Sequence, residues 1–282
     1  MGKTYTKGSR LVMWLHVEPT TRCNAWCPGC GRNKNGYGLS DFVLEDLDTS
    51  VLAEVVKKYN IKRVMMCGNL GDALAAKNIE KQIDIVKDLD KIQIRTNGSL
   101  RKPDWYSNIQ KLLKDKLEIW FAIDGLEDTH SYYRQGTDYK RIIENAQSFI
   151  GAGGHAVWQF IPFEHNQHQI KDCMRLSQQL GFKRFEFVRN ARVGDVNLHY
   201  RTGVPLKIKT WNMDKHFNRK YNISSSVDTK NCMHLSMPSL FLSAAGVVTP
   251  CCYMNNTSIE TVDIKQEFSN NNYRTICTRN CG

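Results

Sequence analysis

The chain has 282 residues, enough to bury a full core as one large domain or as one domain plus a smaller one. Apolar residues make up 41% and charged residues 24%, as in ordinary soluble globular proteins, and no apolar run approaches the roughly 20 residues of a membrane-spanning helix. The N-terminus lacks the apolar stretch of a secretory signal, so ten cysteines argue for metal binding in a reducing, cytoplasmic setting rather than for disulfides, while a net charge of +11 favours anionic partners.

Strand-like and helix-like segments alternate along the chain. Leu11 to Val17 reads as a first strand. A helix is predicted from Val43 to Tyr59, with Val43, Leu44, Leu47, Val51, Leu52, Val55 and Val56 at helical spacing and Ser40 and Asp41 as candidate caps. Lys62 to Cys67 reads as strand two, and Lys77 to Leu89 as a helix with Ile79, Ile83 and Val86 inward. Lys91 to Thr96 reads as strand three, ended by the turn signal Asn97-Gly98. Pro103 suits the first turn of a helix running to about Lys114. Leu117 to Ile123 is strand four, Tyr139 to Ile150 a helix, and His155 to Ile161 strand five. A helix over His168 to Leu180 and a sixth strand over Phe182 to Val188 complete the series.

Six β–α steps with short connections predict a parallel sheet with right-handed crossovers. Curved, such a sheet is a partial (β/α)6 TIM barrel, spanning residues 1–189. Its strands read as apolar on both faces, as in Val64-Met65-Met66 and Ile119-Trp120-Phe121-Ala122-Ile123. By analogy with full barrels, reactive groups belong at the C-terminal strand ends. Residues 190–231 then form a basic linker and residues 232–282 a small separate unit. Within that unit, Ser239 to Ser243 and Val247 to Thr249 form a hairpin around Ala244-Ala245-Gly246. Ten residues precede Leu11, so neither a cobalamin-binding nor a peptide-recognition domain is expected ahead of the barrel.

From Lys183 to Lys220 there are ten Lys or Arg against three Asp or Glu. The run reads either as a solvated surface or as one that attracts anions. No nucleic-acid-binding motif accompanies it, so nucleic acid is not an expected partner. Arg189 and Arg192, just past strand six, bring positive charge to the barrel rim. They suggest an anionic substrate, either an acidic peptide segment or a phosphorylated small molecule.

The most specific signal follows strand one: Cys23-Asn24-Ala25-Trp26-Cys27-Pro28-Gly29-Cys30. Three thiolates at C-x3-C-x2-C spacing can hold three corners of a [4Fe–4S] cube. With no fourth Cys or His in the loop, one iron would stay open to a small molecule. A four-ligand zinc site and plain buried cysteines are the alternatives.

This motif after a first strand resembles the signature of the radical S-adenosylmethionine (SAM) enzymes. The resemblance implies that Cys23, Cys27 and Cys30 hold the cluster and that SAM chelates the fourth iron through its amino and carboxylate groups. One electron would then cleave SAM to a 5′-deoxyadenosyl radical that abstracts a hydrogen atom from substrate. Gly68-Asn69-Leu70-Gly71-Asp72-Ala73, after strand two, resembles the family's GGE segment, whose backbone holds the SAM amino group. Asp72 stands where Glu is usual and Ala73 where Pro is common. Thr96-Asn97-Gly98-Ser99 resembles the TNG segment, implying that Asn97 and Ser99 lie near SAM. Ala122-Ile123-Asp124-Gly125, followed by His130 and Arg134, resembles an S-x-D-G…H…R pattern in which the arginine pairs the SAM carboxylate. Ala122 replaces the serine that would contact the ribose. Gln159, in Trp158-Gln159-Phe160-Ile161, is either an adenine-facing group or part of a core strand. Gly29 stands where many members carry an aromatic residue.

Cys232, Cys251, Cys277 and Cys281 resemble the twitch domain, a shortened SPASM domain that binds one auxiliary [4Fe–4S] cluster; four thiolates are also a zinc ligand set. Cys252 reads as a spare thiol, an alternative ligand or a hydrogen-atom donor, and Cys67 and Cys173 as buried core cysteines. The resemblance further implies an electron donor such as flavodoxin or ferredoxin, and a peptide or anionic small molecule as substrate. The competing reading is a non-catalytic iron–sulfur or nucleic-acid-binding protein that keeps the fold.

Overall fold

Apolar side chains at every second strand position build the core. The computed structural model describes residues 14–32, 43–188, 197–198, 204–209, 211, 239–249 and 251–252. Strands β1 (Trp14–Val17), β2 (Arg63–Met66), β3 (Lys91–Thr96), β4 (Leu117–Ala122), β5 (His155–Phe160) and β6 (Arg184–Phe187) lie side by side in chain order. Each is parallel to its neighbours, with Val17 opposite Met66, Met66 opposite Ile94, Thr96 opposite Phe121 and Ala122 opposite Gln159. Helices α1 (Thr49–Lys58), α2 (Ile79–Val86), α3 (Pro103–Leu113), α4 (Glu127–Tyr133), α5 (Tyr139–Gly151) and α6 (Ile170–Gln179) connect them. This is the predicted α/β architecture with its mostly parallel sheet.

One face of the sheet meets the helices. Leu15, Val17, Val64, Met66, Ile92 and Ile94 are fully buried there and share one core with Leu52 of α1, Ile83 of α2 and Phe149 of α5. In α5, Ile142, Asn145, Ala146 and Phe149 fall on one stripe, and the buried Asn145 donates to the Gly98 carbonyl at 2.8 Å. Burying each large apolar side chain contributes about 1.5–3 kcal/mol.

The other face departs from the expectation of strands apolar on both sides. In-register pairs Gln93–Glu118, Arg95–Trp120, Glu118–His155, Ala122–Gln159 and Gln159–Glu186 place polar side chains together on it. Parallel strands are apolar on both faces only when both are packed; here the concave face is left for polar groups.

The helix predicted from Val43 starts later. Asp48 caps α1, its side chain accepting from Ser50 N at 2.7 Å. Val43 and Leu44 are 66% and 51% exposed, so their helical spacing reflects no buried stripe. Residues 43–47 instead run extended against 19–22, with Thr21 N donating to Glu45 O at 3.0 Å and Leu47 N to Pro19 O at 2.9 Å. The proposed caps Ser40 and Asp41 lie outside the described residues, as do Leu11 to Met13. Helix α4 had no apolar period to announce it; it buries only His130 and Tyr133.

The expected hairpin forms from β9 (Ser239–Leu242) and β10 (Val248–Thr249), which are antiparallel. It also extends the main sheet. β9 lies parallel to β1, with Leu15 opposite Leu240 and Val17 opposite Leu242, giving the order β10-β9-β1-β2-β3-β4-β5-β6. A separate two-stranded ribbon pairs β7 (Asn197–Leu198) with β8 (Pro205–Leu206). No helix among the described residues is long and apolar enough to cross a membrane.

Candidate active site

The cysteine loop leaves the C-terminal end of β1 and is tied down from several directions. Arg22 pairs with Asp46 at 3.1 Å, Asp72 N donates to Arg22 O at 2.8 Å, and Trp26 N donates to Gln135 O at 2.8 Å. Cys30 N donates to Cys27 O at 3.0 Å, closing the turn that carries the last two thiols. Cys23, Cys27 and Cys30 all line one cavity of about 370 Å³, a volume within the range of small-molecule sites. Among the described residues no three His, Cys, Asp or Glu side chains close on the position of a single metal ion; the thiols share a wall instead.

Burial pushes the Cys23 thiol up to about 12, and Asp72 and Cys27 add to the rise. Burial likewise pushes Cys27 up to about 11, against the pull of Arg134. Without metal, Cys23 and Cys27 therefore keep their protons, and metal uptake must release them.

The turn after β2 forms the next wall. Gly68, Asn69, Gly71 and Asp72 all line the cavity. A Cβ on Gly71 would land on the Thr20 carbonyl oxygen and one on Gly68 on the Gly71 carbonyl, so close approach to the start of the cysteine loop demands glycine at 71 and the tightness of the turn itself demands it at 68. Asp72 turns inward, capping the short helical turn 73–75 through Leu74 N at 3.0 Å. It also accepts from Thr96 Oγ1 at 2.9 Å and from Asn97 N at 2.6 Å, tying the end of β2 to that of β3.

Glu18, which the sequence reading passed over, supports the same turn from behind. It is buried, and its Oε1 accepts from Leu70 N at 2.8 Å. Burial raises its pKa, opposed by hydrogen bonds from the backbone of Leu70, Asn69, Gly71 and Ala244. Its place directly after an apolar strand was the available signal.

Asn97 reaches the cavity wall from β3, donating to Asn24 Oδ1 at 2.7 Å and approaching Cys23 Sγ at 3.9 Å. Ser99 instead accepts from Asn24 Nδ2 at 2.8 Å, which places it behind the loop rather than in the cavity lining. Arg134 follows α4 and lines the cavity, with Nη1 3.8 Å from Cys27 Sγ. Asp124 is fully buried beneath it, accepting from Arg134 Nε at 2.6 Å and from Ile161 N at 2.6 Å. The Asp124 carboxylate holds the guanidinium firmly protonated despite its burial. His130, also fully buried, accepts from Asp124 N through Nδ1 at 3.1 Å, and its Nε2 meets Thr137 Oγ1 at 3.1 Å. Gln159 lines the cavity from β5.

Cys173 is a core residue, as expected, but Cys67 is not: it directly follows β2 and lines the cavity. Cys251 and Cys252 follow the hairpin, and the Cys252 carbonyl accepts from Asn69 Nδ2 at 3.3 Å, which brings this segment against the glycine turn. Cys232, Cys277, Cys281, Arg189 and Arg192 lie outside the described residues.

No protein-family model and no curated protein matches the chain. Solved structures do. SuiB of Streptococcus suis bound to S-adenosylmethionine superimposes with a TM-score of 0.63 at 15% identity, covering 92% of this chain and 65% of SuiB. The enzyme anSMEcpe with bound AdoMet and the Kp18Cys peptide superimposes with a TM-score of 0.61 at 15% identity, covering 94% of this chain and 82% of that one. Both are radical SAM enzymes. The chain has the radical SAM fold. It spans 65% of the length of SuiB. In the radical SAM fold of this chain, the cysteine loop, the glycine turn, Asn97, Arg134 and Gln159 meet at one cavity at the C-terminal ends of β1 to β5.

Proposed function

We propose that the chain is a radical SAM enzyme. The observation that carries this reading is the cavity that Cys23, Cys27 and Cys30 share with Gly68, Gly71, Asn97 and Arg134. The donor set fits a four-iron cluster: three thiols on one loop, at a cavity with room beside them. Cys23, Cys27 and Cys30 would hold the cluster, which would supply the electron for reductive cleavage of SAM and so the radical chemistry that removes a hydrogen atom from substrate.

The chain's own groups bind and orient SAM. Gly68 and Gly71 carry no side chain to block backbone contact with its amino group. Arg134, pinned at Nε by Asp124, keeps its other guanidinium edge for the SAM carboxylate, a charge-assisted contact. Asn97 and Gln159 offer amide donors and acceptors for the ribose and adenine.

Cys232, Cys251, Cys277 and Cys281 would hold an auxiliary [4Fe–4S] cluster, with Cys252 as alternative ligand or hydrogen-atom donor. The substrate reading is a peptide or an anionic small molecule; SuiB bound to the precursor peptide SuiA and anSMEcpe with its bound peptide make a peptide the first to try. A flavodoxin or ferredoxin would deliver the electron.

The test is anaerobic reconstitution followed by iron counting and SAM cleavage. Wild type should bind about eight irons and the Cys23/Cys27/Cys30 triple alanine variant about four. Only wild type should release 5′-deoxyadenosine. Equal cleavage by the triple variant refutes the assignment. Loss of all iron in that variant, with zinc retained, makes the tail a zinc site.

A further inference from the structure

The concave face of the sheet carries a set of side chains to which the SAM reading above gives no part. At its centre is Glu118, buried on β4. Its carboxylate accepts from Gln93 Nε2 at 2.7 Å and from Trp120 Nε1 at 2.5 Å, and it forms ion pairs with Arg184 at 3.1 Å and Lys91 at 3.6 Å. Both groups held by Glu118 in turn hold Arg95. Gln93 Oε1 accepts from Arg95 Nε at 3.2 Å, and the guanidinium lies over the Trp120 ring at 4.2 Å. Arg184 approaches the same ring at 5.3 Å.

Arg95 lines the cavity that the cysteine loop also lines. Two other arginines do so, and both are engaged: Arg32 donates to the Thr21 and Leu70 carbonyls, and Arg134 pairs with Asp124. Among the described residues Arg95 has no carboxylate partner, and its Nη1 and Nη2 donate to no protein acceptor. Glu118, the acid on this face that organises it, is already shared by two other cations. A half-buried cation that lacks a counter-charge is costly, and holding it in one orientation lowers the ordering cost of binding a ligand.

We propose that Arg95 is the cavity's contact for a substrate carboxylate, with Gln93 and Trp120 as its positioning residues. Gln93 occupies Nε, so the open edge is the one bearing Nη1 and Nη2. Two parallel N–H donors there match the two oxygens of a carboxylate. Arg134 serves the cysteine loop, whereas Arg95 lies on β3 before Thr96, on the inner face. The inference rests on the SAM-dependent reading above for what fills the rest of the cavity, but its test does not depend on turnover.

The test is modification of the reconstituted full chain with phenylglyoxal, which reacts with accessible guanidinium groups, mapped residue by residue by peptide mass spectrometry. The probes are glutarate as carboxylate, glutaramide as its neutral counterpart, inorganic phosphate and SAM. With glutarate at about ten times its dissociation constant, labelling of Arg95 should fall about tenfold, because only the free fraction reacts. Glutaramide should not protect, and the exposed Arg175 should label equally throughout. Gln93→Leu should leave Arg95 reactive while weakening glutarate protection. An Arg95 that never labels, or that glutarate fails to protect, overturns the proposal. Protection by phosphate but not glutarate overturns the carboxylate assignment. Protection by SAM alone makes Arg95 the cofactor's partner instead. Failure of SAM cleavage in the iron experiment, with glutarate protection intact, would count against the functional reading and not against this site.

Discussion

Replacing Asp124 by Asn probes the pair beneath the cavity. Asp124 Oδ2 accepts from Arg134 Nε and Oδ1 from Ile161 N, both at 2.6 Å, in a fully buried position. An amide has one acceptor oxygen and one NH2 group. Whichever way it is turned, a donor faces either Arg134 Nε or Ile161 N. The variant therefore loses a hydrogen bond to a charged group, worth about 1.5–3 kcal/mol, and leaves a buried donor unpaired at a further cost of about 1–3 kcal/mol. The total, about 2.5–6 kcal/mol, brackets the roughly 3–5 kcal/mol cost of removing one partner from a buried ion pair. Urea unfolding of wild type, Asp124→Asn, Arg134→Gln and the double variant closes a double-mutant cycle. The coupling energy should exceed about 1.5 kcal/mol, and SAM affinity should fall about tenfold or more in each single variant. Additive effects of the two substitutions, or a loss below about 1 kcal/mol in Asp124→Asn, would refute this account of how Arg134 is held.

Further substitutions address the glycine turn and the buried histidine. Gly71→Ala drives a Cβ into the Thr20 carbonyl and should destabilise by about 1–3 kcal/mol or more, with loss of SAM binding. Gly151→Ala, which meets no atom within 4 Å, should be neutral or stabilise by about 0.4–1 kcal/mol; comparing the two by thermal denaturation and equilibrium dialysis of SAM checks both. Burial, with the nearby Arg134 charge, pushes His130 down to about 3. Its unfolded pKa is about 6.5, so the stability gained by keeping the ring neutral is present in full above that pH and is lost as pH falls towards 3. Wild type should therefore lose about 1.4 kcal/mol per pH unit more than His130→Gln between about pH 6 and 5. Parallel stability curves for the two proteins would contradict a neutral His130.

The sequence by itself determined the order of the elements, because strand and helix periods are local. The strict alternation Lys91-Ile92-Gln93-Ile94-Arg95 and the stripe Ile142, Ala146, Phe149 each specify which side of an element is buried, whatever it packs against. The cysteine spacing and the strand-end positions of Gly68 and Asn97 were legible for the same reason. Tertiary structure decided what depends on contacts between distant segments. Residues 43–47 became an extended partner of the segment leading into the cysteine loop, because the Thr21 and Arg22 contacts there outweigh a helical spacing that leaves Val43 and Leu44 exposed. The hairpin joined the main sheet through β1, a pairing between segments more than 200 residues apart that no local pattern records. Cys67 turned to the cavity rather than the core because it follows Met66, the core-facing last residue of β2, and successive side chains alternate between the two faces. The polar concave face arises only when β3, β4, β5 and β6 align in register. That register sets Gln93, Glu118 and His155 in one row and Arg95 beside Trp120 in the next, and so gives Arg95 a ring to lie on and, among the described residues, no acid of its own.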